Sequence, residues 1–157
     1  MQDTVEILSQ YELERGKPMP SKNHSLVQSN LLYALSDYRT KFSILPELSL
    51  EFSGQVYVPD LCICEKMKID WLNDETKLTT APLTVIEIAS PSQGYEVFEE
   101  KLKGYFLNGV KSFWLVNPFL QSIALFTPNE QKPQVISTGL LTDEVTGIKI
   151  PIEKVFE

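Results

Sequence analysis

The stretch Leu83-Thr84-Val85-Ile86-Glu87-Ile88-Ala89-Ser90-Pro91-Ser92 decides how this chain is read. Leu83 to Ala89 is dense in apolar and β-branched residues and is bounded by Pro82 and Pro91, the pattern of a buried strand. Glu87 breaks that pattern. A strand alternates faces with period two, so Glu87 shares a face with Val85 and Ala89. A carboxylate on a buried strand face is costly unless it is paired or bound to a cation. Downstream, Phe98, Leu102, Tyr105 and Phe106 form the apolar face of a helix, which Ser92 can cap and Gly109 can stop. Lys101 falls at the edge of that face, where it can lean over the C-terminal end of the Glu87 strand.

Upstream, Ile44 to Phe52 reads as a strand, with Leu48, Leu50 and Phe52 alternating against Ser49 and Glu51. Ser53-Gly54-Gln55 is a turn. Val56 to Cys64 is a second strand, in which Pro59 marks an edge or a bulge. Asp60 interrupts this strand as Glu87 interrupts the later one, and it shares a face with Val58 and Cys62. If the two strands are neighbours, both carboxylates converge on one point. That geometry suits a hard divalent cation such as Mg²⁺, which takes oxygen ligands and keeps several waters. Each acid taken alone has a plainer reading, at a strand end in solvent or paired with Lys or Arg. Lys101 has one too, in a solvated face with Glu96, Glu99, Glu100 and Lys103.

Ser21 to Tyr38 reads as a helix, with Val27, Leu31, Ala34, Leu35 and Tyr38 on one face and Ser21 or Asn23 as cap. Tyr11 to Met19 reads as a small hairpin around Gly16. Residues 65–82 are polar and irregular, with Trp71 and Leu72 tacking the segment down and Asn73-Asp74-Glu75 as an exposed tip. Ser112 to Val116 and Ser122 to Phe126 are strands joined at Asn117-Pro118. Val135 to Phe156 holds one or two short strands and a closing turn. The order is hairpin, helix, three strands, helix, two strands, tail. It predicts an α/β (α+β) fold with a central mixed sheet flanked by helices.

The 157 residues make a single domain, 1–157. Hydrophobic residues at 43% and charged residues at 22% exclude a mostly disordered chain. With 14 Lys plus Arg against 21 Asp plus Glu, the net charge of −7 argues against coating nucleic acid or an anionic membrane by bulk charge. A nucleic-acid role therefore needs a local basic surface or metal ions. No run approaches a membrane span. Met1-Gln2-Asp3-Thr4-Val5-Glu6 lacks the basic start and apolar centre of a signal peptide, so a cytoplasmic location is expected. Cys62 and Cys64 read as buried strand filler rather than half of a metal site, because there is no other Cys and His24 is the single His.

Pro59-Asp60 followed by Glu87 in an apolar strand follows the PD-(D/E)XK nuclease pattern. The chain resembles more closely the "putative restriction endonuclease" family rich in cyanobacterial members, also called Uma-two. The stretches that carry the resemblance are Tyr11-Glu12-Leu13 with Gly16, His24 opening the first long helix, and Val58-Pro59-Asp60-Leu61. They continue with Ala81-Pro82, Val85-Ile86-Glu87-Ile88, Ser90-Pro91-Ser92, Lys101 with Tyr105, Gly109-Val110 and Phe113-Trp114-Leu115-Val116. Together they span residues 11–156.

The resemblance implies a restriction-endonuclease-like core of helix, three strands, helix and strand, with the N-terminal hairpin before it and a C-terminal strand extension after it. It implies a metal-dependent DNA endonuclease, with Asp60 and Glu87 holding Mg²⁺ or Mn²⁺, helped by the Ile88 carbonyl, and Lys101 as the catalytic lysine. Glu12 matches an acid that serves as a further ligand or supports one. His24 contacts substrate, fixes a carboxylate or caps its helix. The superfamily's usual lysine position holds Ala89, so the lysine has moved onto the helix. Val97 stands where family members often carry an Asp, and Asn117 where the Trp strand usually ends in Asp. Those departures, with the acidity, support an alternative, a catalytically inactive interaction module of the same fold. Analogy with enzymes that cut both strands implies a homodimer.

Overall fold

The structure, a computed structural model, describes residues 8–157; the Met1–Glu6 stretch lies outside them. The first element is a helix, α1 (Gln10–Arg15), where the sequence reading expected a hairpin. Ser9 and Glu12 form a reciprocal capping box at its start, and Gly16, at φ 64°, closes it in the left-handed conformation. The glycine read as a hairpin tip is thus a helix stop. Helix α2 (Lys22–Ala34) begins where Ser21 accepts a hydrogen bond from the His24 N–H. It buries His24, Val27 and Leu31, and a single 3₁₀ turn at Ser36–Tyr38 ends it.

The expected strand over 44–52 is two strands, β1 (Phe42–Pro46) and β2 (Ser49–Phe52). The chain breaks at Glu47, which sits at φ 58°. The expected strand over 56–64 also divides, into β3 (Gln55–Tyr57) and β4 (Leu61–Glu65), at Val58-Pro59-Asp60. Proline offers no N–H to a ladder, so strand pairing stops there. Both breaks route the chain between two sheets. β2 and β3 form a hairpin that pairs with β5 (Lys77–Leu78) in the small sheet. Trp71 and Leu72 are exposed rather than tacked down.

The central sheet follows the order β1-β4-β6-β7-β8-β9, with β6 (Thr84–Ile88), β7 (Ser112–Asn117), β8 (Ser122–Phe126) and β9 (Gln134–Ile136). All its pairs are antiparallel except β6 with β7. A parallel pair needs a crossover, and helix α3 (Tyr95–Leu107) supplies it. Gly94, not Ser92, is its N-cap. The tail holds the hairpin β10 (Leu140–Asp143) and β11 (Ile148–Pro151), then a short helix α4 (Ile152–Val155).

The period-two alternation sorts the core into two layers. Leu61, Ile63, Ile86, Ile88, Trp114 and Val116 pack with α2, the tail hairpin and α4. Val85 and Phe113, from the opposite face, pack with Tyr105 of α3 and with Leu50 and Phe52 of the small sheet. One buried acid is absorbed by the first layer. Asp143 accepts from the Ser112 hydroxyl at 2.7 Å, Trp114 Nε1 at 2.8 Å and the Val145 N–H at 2.9 Å, tying the tail hairpin to β7. The other two, Asp60 and Glu87, lie at the mouth of the second layer. Among the described residues no helix is long and apolar enough to cross a membrane.

Candidate active site

β4 and β6 pair antiparallel, with Leu61 opposite Ile86 and Cys62 opposite Val85. One further step along that register, just past the end of β4, sets Asp60 opposite Glu87. Residues directly opposite on neighbouring antiparallel strands project from the same face. The two carboxylates therefore converge as their sequence positions predict, and both are almost completely buried, at 1% and 2% exposure.

Each carboxylate oxygen has a partner. Asp60 Oδ2 accepts the Ile88 N–H at 2.7 Å, which ties the loop before β4 to the end of β6. Asp60 Oδ1 accepts from Lys17 Nζ at 2.6 Å and lies 3.1 Å from His24 Nε2. Tyr105 donates its hydroxyl to Glu87 Oε1 at 2.8 Å, and Lys101 Nζ stands 3.4 Å from Glu87 Oε2. Tyr105 and Lys101 are one turn apart on α3, so one helix face delivers both.

The surroundings drive the two acids in opposite directions. Burial works against an ionised Asp60, but the His24 hydrogen bond and the Lys17 charge outweigh it and hold its carboxyl below the ordinary value. Burial pushes the Glu87 carboxyl above its ordinary value; Lys101 pulls it back and the Asp60 charge adds to the rise. Burial likewise works against a charged Lys17, yet Asp60 and the other carboxylates keep its ammonium protonated beyond the ordinary range. Groups displaced in this way within one cleft are a mark of functional sites, and structural ion-pair networks displace them too.

Of the residues singled out in the sequence, Asp60, Glu87, Lys101 and His24 meet at this point. Glu12 does not join them by any hydrogen bond. Its carboxylate accepts from the Ser9 N–H at 2.7 Å and the Met19 N–H at 3.1 Å, holding α1 and the segment after it. The Ile88 N–H holds Asp60 from the end of β6.

Sequence reasoning missed Lys17, Glu47 and Gln28. Lys17 also bonds Glu47, at 3.2 Å, and the Val58 carbonyl, at 3.2 Å. Gln28 of α2 donates to Glu47 Oε1 and to the Asp60 carbonyl. The Tyr105 hydroxyl was missed as well, since Tyr105 read as part of the apolar face, although its spacing of four from Lys101 was a signal; Lys17 offered none, because only the tertiary fold brings it to Asp60.

Asp60 and Glu87 offer oxygen donors of the kind a hard divalent cation takes: Asp60 Oδ2 and both Glu87 oxygens carry one hydrogen bond each and keep a further lone pair, while Asp60 Oδ1 carries two. Among the described residues no group of three or more His, Cys, Asp or Glu side chains is gathered for a metal. A positive charge, the Lys17 ammonium, already stands against Asp60. Lys17, His24, Asp60, Glu87, Ile88 and Gln93 border a pocket of about 10 Å³, room for about one water-sized centre. It adjoins a wider groove of about 580 Å³ bordered by Lys17, Met19, Ser90, Pro91, Gln93 and Val97. Cys62 and Cys64 are buried free thiols 4.0 Å apart on the same strand face as Asp60.

These features define a mixed α+β domain in which two buried carboxylates and two lysines meet where β4 and β6 pair. A solved structure from Anabaena variabilis, described as a "putative nuclease belonging to DUF820", is similar over 89% of this chain and 83% of that one. Its TM-score is 0.74 and its identity 22%, so the likeness is one of fold. The family model Uma2, described as "Putative restriction endonuclease", matches residues 3–152, and the chain belongs to that family. No curated protein matches.

Proposed function

We propose that this protein is a metal-dependent endonuclease of PD-(D/E)XK type that hydrolyses phosphodiester bonds in DNA in the cytoplasm. The observation that carries this reading is the meeting of Asp60 and Glu87 across β4 and β6, with Lys101 over Glu87. Asp60 and Glu87 would hold Mg²⁺ or Mn²⁺. Such a cation, when bound, activates a water and neutralises charge on the phosphate and the leaving oxygen.

The chain's own groups do the rest. Tyr105 holds the Glu87 carboxylate by its Oε1, leaving Oε2 toward Lys101. Lys101, at 18% side-chain exposure, is reached from solvent and offers an ammonium to the charge developing on a phosphoryl oxygen. The Ile88 N–H and His24 orient Asp60. Tyr95 and Phe119, both exposed, border a neighbouring groove of about 860 Å³ and offer aromatic faces on which unpaired bases stack. The acidity is consistent with weak, salt-sensitive DNA binding that depends on the cation. Cutting of both strands would call for a homodimer.

One observation favours a second reading, an inactive interaction module of the same fold. With Asp60 and Glu87 ionised, Lys17 and Lys101 already balance them, and the site is neutral on its own.

The test is nicking of supercoiled plasmid with Mg²⁺ or Mn²⁺ against chelator, by the native chain and by Asp60→Ala. Cleavage that needs the metal and disappears in Asp60→Ala is expected. Equal cleavage by Asp60→Ala overturns the enzyme reading. DNA binding without cleavage by the native chain selects the module.

A further inference from the structure

Lys17 is the least expected member of the site. It follows Gly16, whose left-handed conformation turns the chain out of α1, and it precedes Pro18. Its side chain is 8% exposed. An ammonium buried that far is costly unless anions and acceptors surround it. Its Nζ finds Asp60 Oδ1 at 2.6 Å, Glu47 Oε2 at 3.2 Å and the Val58 carbonyl at 3.2 Å. Three acceptors match the three protons of an ammonium.

The charges around it add a constraint. With Asp60 and Glu87 ionised, Lys17 and Lys101 bring the group to neutrality. A divalent cation entering beside Asp60 would leave a surplus of positive charge in a buried place, where like charges repel strongly. The simplest relief is withdrawal of one ammonium. Lys17 has a second anchor. Glu47, at 33% side-chain exposure, already contacts Lys17 Nζ and is held by Arg15 and Gln28. A shift of Lys17 from Asp60 onto Glu47 alone keeps the ammonium paired and removes one of the two hydrogen bonds on Asp60 Oδ1, leaving that of His24.

Resting on the metal-site reading above, we propose that Lys17 is a built-in competitor of the divalent cation: it occupies Asp60 when the metal is absent and moves to Glu47 when the metal binds. Binding of the metal and docking of Lys17 are then negatively coupled. Such coupling is reciprocal, so whatever removes the ammonium tightens the metal.

Titration calorimetry of the full chain with MnCl₂, native against Lys17→Gln, tests this. Tighter binding by Lys17→Gln, about tenfold or more, is expected from a coupling of ordinary size. Binding by Lys17→Gln alone also supports the proposal. Equal or weaker binding by Lys17→Gln overturns the competition and leaves the metal site standing. No binding by either protein overturns both. A second measurement needs no variant. Acetic anhydride labelling of the native chain, read by mass spectrometry, should modify Lys17 faster with saturating Mn²⁺ than without it. Unchanged Lys17 labelling in a chain that binds Mn²⁺ contradicts the proposal even if Lys17→Gln does not fold.

Discussion

The Tyr105 hydroxyl donates to Glu87 Oε1 at 2.8 Å, joining the last turn of α3 to the end of β6 inside the protein. Both groups are buried, and the Tyr105 ring also lies against Phe113 and Tyr57. The bond fixes the direction of a carboxylate that is almost completely buried. Tyr105→Phe keeps the ring packing and removes the donor. A hydrogen bond to a charged group contributes about 1.5–3 kcal/mol, so the variant should lose about that much stability in urea unfolding. An unchanged urea midpoint would show that the bond contributes nothing.

The pH dependence of stability separates the two acids. Glu87 titrates above its ordinary value of 4.5 because burial, the largest influence, favours the neutral form. From 4.5 up to that raised value the folded chain keeps a proton that the unfolded chain has released. Its contribution is therefore full below 4.5 and is lost as pH rises through the raised value. Asp60 behaves oppositely. Burial resists its charge but His24 and Lys17 prevail, so its contribution is present above 3.8 and lost as pH falls through the lowered value. Glu87→Gln, neutral at every pH, should gain stability relative to the native chain as pH rises from about 4 to about 8. Urea midpoints across that range check it, and a constant difference between the two proteins would refute it.

In the proposed reaction Lys101 acts on substrate, through the ammonium that also pairs with Glu87. Lys101→Met should lower the rate of plasmid nicking by about 10²–10³, the loss typical of one electrostatic donor at a reacting oxygen. Calorimetry should find Mn²⁺ binding retained, because Asp60 and Glu87 are intact. A variant that nicks at the native rate would remove Lys101 from the chemistry.

Gly104 sits in the interior of α3, where alanine is ordinarily favoured by about 1 kcal/mol. Here an added Cβ would fall 2.8 Å from Tyr57 Cζ. Tyr57 is held by Phe52 on one side and Tyr105 on the other. Overpacking typically costs about 1–3 kcal/mol, so Gly104→Ala should destabilise the protein in spite of the better helix propensity. A raised melting temperature would contradict this packing.

Much of the site was legible because local pattern coincided with tertiary structure. The alternation around Glu87 and around Asp60 put each acid on a definite strand face, and β4–β6 pairing then brought them together. The spacing of Phe98, Leu102 and Tyr105 placed Lys101 beside Glu87. What failed had separate physical causes. The alternation of Leu48, Leu50 and Phe52 continues the pattern of β1, but Glu47 adopts a left-handed conformation that no alternation reveals, so one strand became two. Val58-Pro59-Asp60 divides the next one, and its proline did signal an interruption. The N-terminal helix was signalled by Ser9 and Glu12, three apart, a capping box that the hairpin reading of Gly16 passed over. Lys17 had no such signal. Its partner is remote in sequence, and a lone lysine beside prolines looks like any surface residue.

In the proposed site Asp60 and Glu87 together hold a divalent cation. A crystal soaked in MnCl₂ and measured for anomalous scattering should show one strong peak about 2 Å from a carboxylate oxygen of each residue. Anomalous density that leaves both carboxylates unligated, with Lys17 still on Asp60, would contradict it.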